Sequence, residues 1–197
     1  MIEKSIYPLI NLSPGTRISS EYVEKILRVL NPKYIQIRIK NGSEEDFFYN
    51  IDVCESVLNS SDSSGTELII NDNFHAASQT KSCFVHLGQD DADPFSVKEK
   101  FPDMRIGLST HSFSQIKDAM EKPVSYVGFG PVFKTKTKRT KCSAVEKYCE
   151  DAYRLSNLPI VFIGGITPSN ISRLPEGEEV MYAVISSLNK FMSVYDV

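Results

Sequence analysis

Apolar and polar positions along the chain follow two alternating rhythms. Short runs rich in β-branched and aromatic residues recur at 5–11, 33–39, 67–71, 83–87, 104–109, 124–129, 159–163 and 180–185. Between them lie stretches with apolar residues every three to four positions, at 19–30, 44–59, 73–80, 95–101, 112–121, 143–156, 168–173 and 186–192. The first rhythm predicts strands and the second amphipathic helices. The series begins with a strand and holds eight of each over 197 residues. A strand of ~5 residues, a helix of ~11 and two loops of ~4 use up that length. This predicts an α/β fold, a compact (β/α)8 TIM barrel at the small end of its range. A doubly wound open sheet shares the alternation and is the alternative. The seventh βα unit is trimmed, because Pro168 to Leu174 runs into Pro175. The Ser-rich stretch 59–65 reads as a helix-to-strand loop, so residues 1–197 are expected to form one domain.

Polar groups concentrate at the predicted strand ends, where barrels carry their chemistry. The second strand alternates strictly, with Gln36, Arg38 and Lys40 on one face and Ile35, Ile37 and Ile39 on the other. A strand covered on both faces is normally apolar throughout. Three inward polar groups therefore call for an anionic ligand, unless this is an edge strand with a solvated face. The third strand ends in Asn71-Asp72 and the fourth, Phe84 to Leu87, in Gly88-Gln89-Asp90-Asp91, whose carboxylates also read as a polar turn. Two carboxylates on neighbouring strands suit Mg²⁺, which takes its remaining oxygens from water and phosphates. Asp72 alone also reads as a helix N-cap. The fifth strand leads through Ser109 to His111, a general acid or base, or a capping or packing residue, and to Ser112, an N-cap candidate. After the sixth strand, Gly128-Phe-Gly-Pro gives way to a Lys/Thr-dense segment holding Thr135, Thr137 and Lys138. Hydroxyl and ammonium groups together suit a phosphate ester, and the segment has the composition of a lid as well as of a solvated loop. Gly164-Gly165 before a predicted helix, and Ser186-Ser187 before the last, fit the phosphate sites of helix N-termini, though a Gly-Gly pair is also an ordinary tight turn.

Composition narrows the classes. Hydrophobic residues are 41% and charged residues 24%, which excludes a disordered or highly charged tail protein. A formal net charge of −3 argues against non-specific nucleic-acid binding and leaves anion recognition to a local basic cluster or a metal. No window approaches the ~18 consecutive apolar residues of a membrane span. The four cysteines form no CxxC pair. With no export-signal pattern, free thiols and a cytoplasmic location are expected.

The ordered set Gln36-x-Arg-x-Lys40, Asn71-Asp72, His86-Leu-Gly-Gln-x-Asp91, Gly107-Leu-Ser-Thr-His111, Gly128-Phe-Gly-Pro-Val-Phe-x-Thr-x-Thr-Lys138, Ile163-Gly-Gly-Ile-Thr-Pro168 and Ile185-Ser186 resembles the thiamine phosphate synthase family, which also includes thiazole tautomerases. The resemblance implies a (β/α)8 barrel that couples hydroxymethylpyrimidine diphosphate with a thiazole phosphate, or its carboxylate, and releases diphosphate with Mg²⁺ bound. It implies that Gln36, Arg38, Lys40, Asn71, Ser109 and Lys138 contact the pyrimidine diphosphate. Arg38, Lys40, Ser109 and Lys138 would be catalytic, and Asp72 and Asp91 would ligate Mg²⁺. Thr135 and Thr137, with Gly165, Ile185 and Ser186, would hold the thiazole phosphate. Its partners would be small molecules, without nucleic acid or membrane, and a homo-oligomer is an open expectation.

The chain departs from the family pattern at several positions. Asn11-Leu12 closes the first strand without Thr-Asp, and Ile39 replaces the usual Glu. Lys141 to Ala144 lacks a Pro or Gly. Met181 stands where glycine is expected, close to the phosphate loop. A tautomerase, using His111 and no metal, and a non-catalytic relative that retains a ligand site are the alternatives. Asp72, Asp91 and Thr-x-Thr-Lys138 favour the synthase.

Overall fold

In the computed structural model, which describes residues 5–60, 65–133 and 145–196, the alternation closes on itself. The strands are β1 (Ile6–Leu12), β2 (Tyr34–Ile39), β3 (Glu67–Asn71), β4 (Phe84–Leu87), β5 (Arg105–Thr110), β6 (Tyr126–Phe129), β7 (Ile160–Ile163) and β8 (Val180–Val184). All pair in parallel in sequence order, and β8 pairs with β1. This closed sheet is the barrel and excludes the open sheet. Pro8, which has no N–H, falls where the pairing of β1 passes from β8 to β2.

The helices are α1 (Ser20–Leu30), α2 (Glu44–Ser60), α3 (Phe74–Ala77), α4 (Pro94–Lys100), α5 (Phe113–Met120), α6 (Val145–Leu155) and α7 (Leu188–Tyr195). Ser19, Asp93 and Ser112 cap α1, α4 and α5 through their side-chain oxygens. The helix expected over 73–80 shrinks to Phe74–Ala77. Ser78 and Thr80 donate side-chain hydroxyls to the carbonyls of His75 and Ala77, each at 2.8 Å, and this local bonding competes with further helix. The trimmed seventh unit is a three-residue 3-10 turn, Ile171–Arg173.

Alternation within each strand divides the apolar residues into two layers. Ile35, Ile37, Ile39, Leu68 and Ile70 belong to the layer between barrel and helices. Ile39 therefore faces away from the lumen. The lumen is filled by Tyr7, Tyr34, Ile69, Phe84, Tyr126 and Met181. Tyr34 and Phe84 pack edge to face with ring centroids 5.5 Å apart, a favourable quadrupolar arrangement. At the N-terminal end Arg105 lies 4.5 Å over the Phe84 ring and forms a bidentate pair with Glu67, which floors the barrel. Met181, expected near the phosphate loop, sits in this filling instead, paired with Val161 near the start of β7. The two-residue period of β8 turns it inward, two residues short of the strand end that carries Gly164.

The β1–α1 loop is pinned to α2 by Asn50, which is fully buried. Its oxygen accepts from the Ile18 N–H at 2.9 Å, and its nitrogen donates to the Thr16 and Asp46 carbonyls at 3.0 and 2.7 Å.

Candidate active site

The candidate residues within the described chain converge on the C-terminal ends of the strands. On β2, Gln36 is buried, Arg38 is half-buried and Lys40 is exposed just past the strand, a ladder climbing from lumen to solvent. Arg38 Nη1 donates to Asn11 Oδ1 at 2.6 Å, across the β1–β2 pairing. Its partner is a neutral amide, so this contact does not offset the guanidinium's field. The polar face of β2 lines a closed barrel rather than an edge.

Asp72 follows β3 with φ +61°, a left-handed conformation that aspartate tolerates better than most residues. The cap of α3 is Asn73, whose Oδ1 accepts from the Ala76 N–H at 2.9 Å. The N-cap reading of Asp72 is thereby replaced, and its carboxyl is left for the mouth of the barrel. Asn71 donates its side-chain amide to it. Across the β3–β4 junction, Asp91 is turned back toward β4 by the Gly88 N–H, which its Oδ2 accepts at 2.6 Å. A Cβ on Gly88 would stand 2.8 Å from that oxygen, so glycine makes room for the turn. Crowding by protein, then hydrogen bonding and repulsion from Asp91, pushes the Asp72 carboxyl up to about 6, while Arg38 and Lys40 oppose the shift. Two carboxyls close enough to repel fit a divalent cation, which would relieve that repulsion. Among the described residues no third ligating side chain joins them, so most ligands would come from water and a bound phosphate, as Mg²⁺ prefers.

A row of hydrogen bonds crosses the lumen beneath this rim. Gln36 Nε2 donates to the Tyr7 hydroxyl at 2.6 Å, and the Tyr7 and Tyr126 hydroxyls lie 3.0 Å apart. Tyr126 Oη is 2.7 Å from His86 Nδ1, and His86 Nε2 is 2.8 Å from Ser109 Oγ. Burial pushes both tyrosines above their ordinary range and holds His86 down at about 4, so all three are neutral at pH 7. Gly107 and Gly128 leave the space for this row. A Cβ on Gly107 would fall 2.2 Å from Tyr126 Cζ, and one on Gly128 would fall 3.2 Å from His86 Cε1. Gln89 fastens the β4 loop to β5 through a 2.5 Å bond from Nε2 to the Ser109 carbonyl.

On the opposite rim, Gly164 and Gly165 have φ of +104° and +67°. A Cβ on Gly164 would meet Pro131 at 2.7 Å, so the glycine admits the loop leaving β6. The helix expected after this pair is only the 3-10 turn, because Asn170 folds back to bond the Thr167 N–H and the Gly165 carbonyl at 2.8 and 2.9 Å. Of the loops that follow β7 and β8, the one after β8 leads into an α-helix, α7. Ile185 and Ser186, both exposed, lead into it, and Ser187 Oγ ties it to the Ile166 carbonyl at 2.6 Å. His111 Nδ1 is engaged by the Gly130 carbonyl at 2.6 Å, an anchoring contact between β5 and β6. Thr135, Thr137 and Lys138 lie outside the described residues.

Asn11, Tyr7, Tyr126 and His86 are polar contributors to which the strand-end argument assigns no role. Their signal is the same two-residue alternation, which puts Tyr7 and Asn11 on one face of β1 and Tyr126 and Gly128 on one face of β6.

A sequence profile described as thiamine monophosphate synthase matches residues 6–188. A thiamine-phosphate synthase of Hydrogenobaculum sp. is 35% identical over 162 residues, covering 81% of this chain and 74% of the relative. Another, from Pelotomaculum thermopropionicum, is 35% identical over 79% of this chain and 71% of its own length. A thiamine phosphate pyrophosphorylase from Pyrococcus furiosus superposes with a TM-score of 0.77 at 23% identity, over 98% of each chain. One from Bacteroides thetaiotaomicron gives 0.65 at 13% identity, over 94% of this chain and 85% of its own, and likewise shares the fold. This chain belongs to the thiamine monophosphate synthase family.

Proposed function

We propose that this protein is a thiamine phosphate synthase, coupling hydroxymethylpyrimidine diphosphate to a thiazole phosphate. The observation that carries the reading is the pair Asp72 and Asp91 at one rim with Arg38 and Lys40 beside them. This arrangement suits a diphosphate held with a divalent cation.

In the reaction the bond from the pyrimidine methylene carbon to diphosphate oxygen breaks, and the oxygen keeps the electron pair. The thiazole nitrogen then forms the new bond to that carbon. The electron-rich aminopyrimidine stabilises positive charge on the carbon, so departure ahead of attack is favoured. Arg38, held by Asn11, and Lys40 would neutralise the departing diphosphate, with Lys138 as a further cation. Asp72 and Asp91 would hold Mg²⁺, which supplies charge neutralisation of the leaving group. Gln36, Asn71 and Ser109 would orient the pyrimidine diphosphate. Gly165, Ile185 and Ser186 would receive the thiazole phosphate near the start of α7, joined by Thr135 and Thr137. Burial keeps His86 neutral, so it adds no charge beside the departing group.

The test offers the protein two substrates in turn. Thiazole carboxylate phosphate alone should remain unchanged without metal. Adding the pyrimidine diphosphate and Mg²⁺ should give thiamine phosphate, with diphosphate released and the thiazole carboxylate lost as CO2, read as fluorescent thiochrome after oxidation. Metal-independent isomerisation of the thiazole without condensation would overturn the reading in favour of a tautomerase, and binding without turnover in favour of a non-catalytic relative.

A further inference from the structure

Gln36 and Ser109 stand on different strands, β2 and β5, yet the lumen joins them through three other side chains. We infer that Tyr7, Tyr126 and His86 are positioning residues that fix the hydrogen-bonding polarity of Gln36 and Ser109, presenting an open acceptor at one end and a hydroxyl proton at the other. The inference rests on the functional reading above for what is bound, and on the lumen geometry for how.

Polarity follows from donor and acceptor counting. Gln36 donates from Nε2 to Tyr7, so the Tyr7 proton is free to point at Tyr126. The Tyr126 proton then points at His86 Nδ1, which must be bare. A ring that accepts at Nδ1 carries its proton on Nε2, and His86 gives it to Ser109 Oγ. Ser109 is left with its own proton unspent. A reversed chain, with the Gln36 amide turned over, would send every proton the other way and make Ser109 a donor to His86.

The far end of Gln36 separates the two. Its Oε1 is buried, and among the described residues it is the one buried side-chain polar atom without a partner. Turning the amide would bury an NH2 with neither proton satisfied, where the present orientation leaves one oxygen and one proton unbonded. Orphaned buried N–H groups are the rarer and costlier case. The forward polarity therefore prevails. A ligand bringing an N–H toward Gln36 and an acceptor toward Ser109 completes both ends, as an aminopyrimidine carrying a diphosphate does.

Gly107 and Gly128 fit the same reading, since they hollow out places for Tyr126 and His86 in strands that otherwise carry side chains. A tyrosine needed only as filler has no use for an aligned hydroxyl. Here two hydroxyls and both imidazole nitrogens are spent within the chain.

The test is ¹⁵N NMR of the ring nitrogens of His86 in the ligand-free protein at pH 7, assigned by comparison with His86→Asn. The expected result is a neutral ring protonated on Nε2. A ring protonated on Nδ1, or on both nitrogens, overturns the inference. Tyr7→Phe and Tyr126→Phe, checked for unchanged melting, complete it. Tyr7→Phe should raise KM for the pyrimidine diphosphate about tenfold with kcat much less affected, the size of one unmade hydrogen bond. Tyr126→Phe should leave His86 as a mixture of tautomers. If both variants retain the wild-type KM and tautomer, the hydroxyls only fill space and the inference fails. The tautomer is read without substrate, so this result is independent of whether the wild type makes thiamine phosphate.

Discussion

The carboxyls of Asp72 and Asp91, just beyond the ends of neighbouring strands, stand close enough at the barrel mouth to repel each other. Burial, with the repulsion from Asp91 added, holds Asp72 up at about 6, well above its ordinary value of 3.8. The folded chain thus keeps a proton that the unfolded chain has released. That contribution to stability is complete below pH 3.8 and is lost as pH rises through about 6. A cation between the carboxyls reverses the preference. Mg²⁺ affinity should fall about tenfold per pH unit below 6, the mark of one competing proton. Titrations of Mg²⁺ with inorganic diphosphate present, at pH 5.0, 6.0 and 7.5, would check this, and Asp72→Asn should flatten the dependence.

Asn11 gives Arg38 a neutral acceptor at 2.6 Å. Asn11→Asp should therefore hold the guanidinium in place while cancelling part of its field. We expect diphosphate to bind about fivefold more weakly, the scale of one exposed charge pair. Calorimetry with inorganic diphosphate and Mg²⁺ measures it. A variant that binds as tightly as wild type would show that Arg38 does not face the anion.

Gly107→Ala should damage the fold from inside. The added carbon lies 2.2 Å from Tyr126 Cζ, and the ring is fully buried with no room to move. Overpacking of this kind costs about 1–3 kcal/mol, or a melting temperature lower by several degrees in a chain of this size. Thermal unfolding followed by circular dichroism would read it.

The barrel was legible because periodicity survives in single strands. Gln36, Arg38 and Lys40 alternate with isoleucines, and no helix accommodates that pattern. The rim carboxylates were legible too, yet Asp72 was balanced between cap and mouth, and only the bond from Ala76 to Asn73 decided it. The contact of Tyr7 with Tyr126 leaves no local mark in the sequence, because the two lie 119 residues apart and meet only when the barrel closes and β1 and β6 face each other across its lumen. Met181 misled for a related reason. Its place depends on which strand residue faces inward, and a boundary uncertain by one or two positions hides that. The missing helix after β7 turns on Asn170 folding back on the loop, a contact the pattern of residues 168–173 does not announce.

Asn50→Ala should loosen the β1–α1 loop. It strips a fully buried amide from the Ile18 N–H and the Thr16 carbonyl, at a cost of about 2–3 kcal/mol. Denaturant unfolding would give the loss, and hydrogen exchange at Ile18 should rise with it.

The most direct measurement counts products. Purified protein is mixed with the pyrimidine diphosphate, the thiazole phosphate and Mg²⁺, and thiamine phosphate and diphosphate are quantified together for wild type, Asp72→Ala and Asp91→Ala. The account predicts equal amounts of the two products from the wild type, abolished by chelator and by either substitution in folded protein. Product formed at the wild-type rate by both variants, or no product from folded wild type, would contradict it.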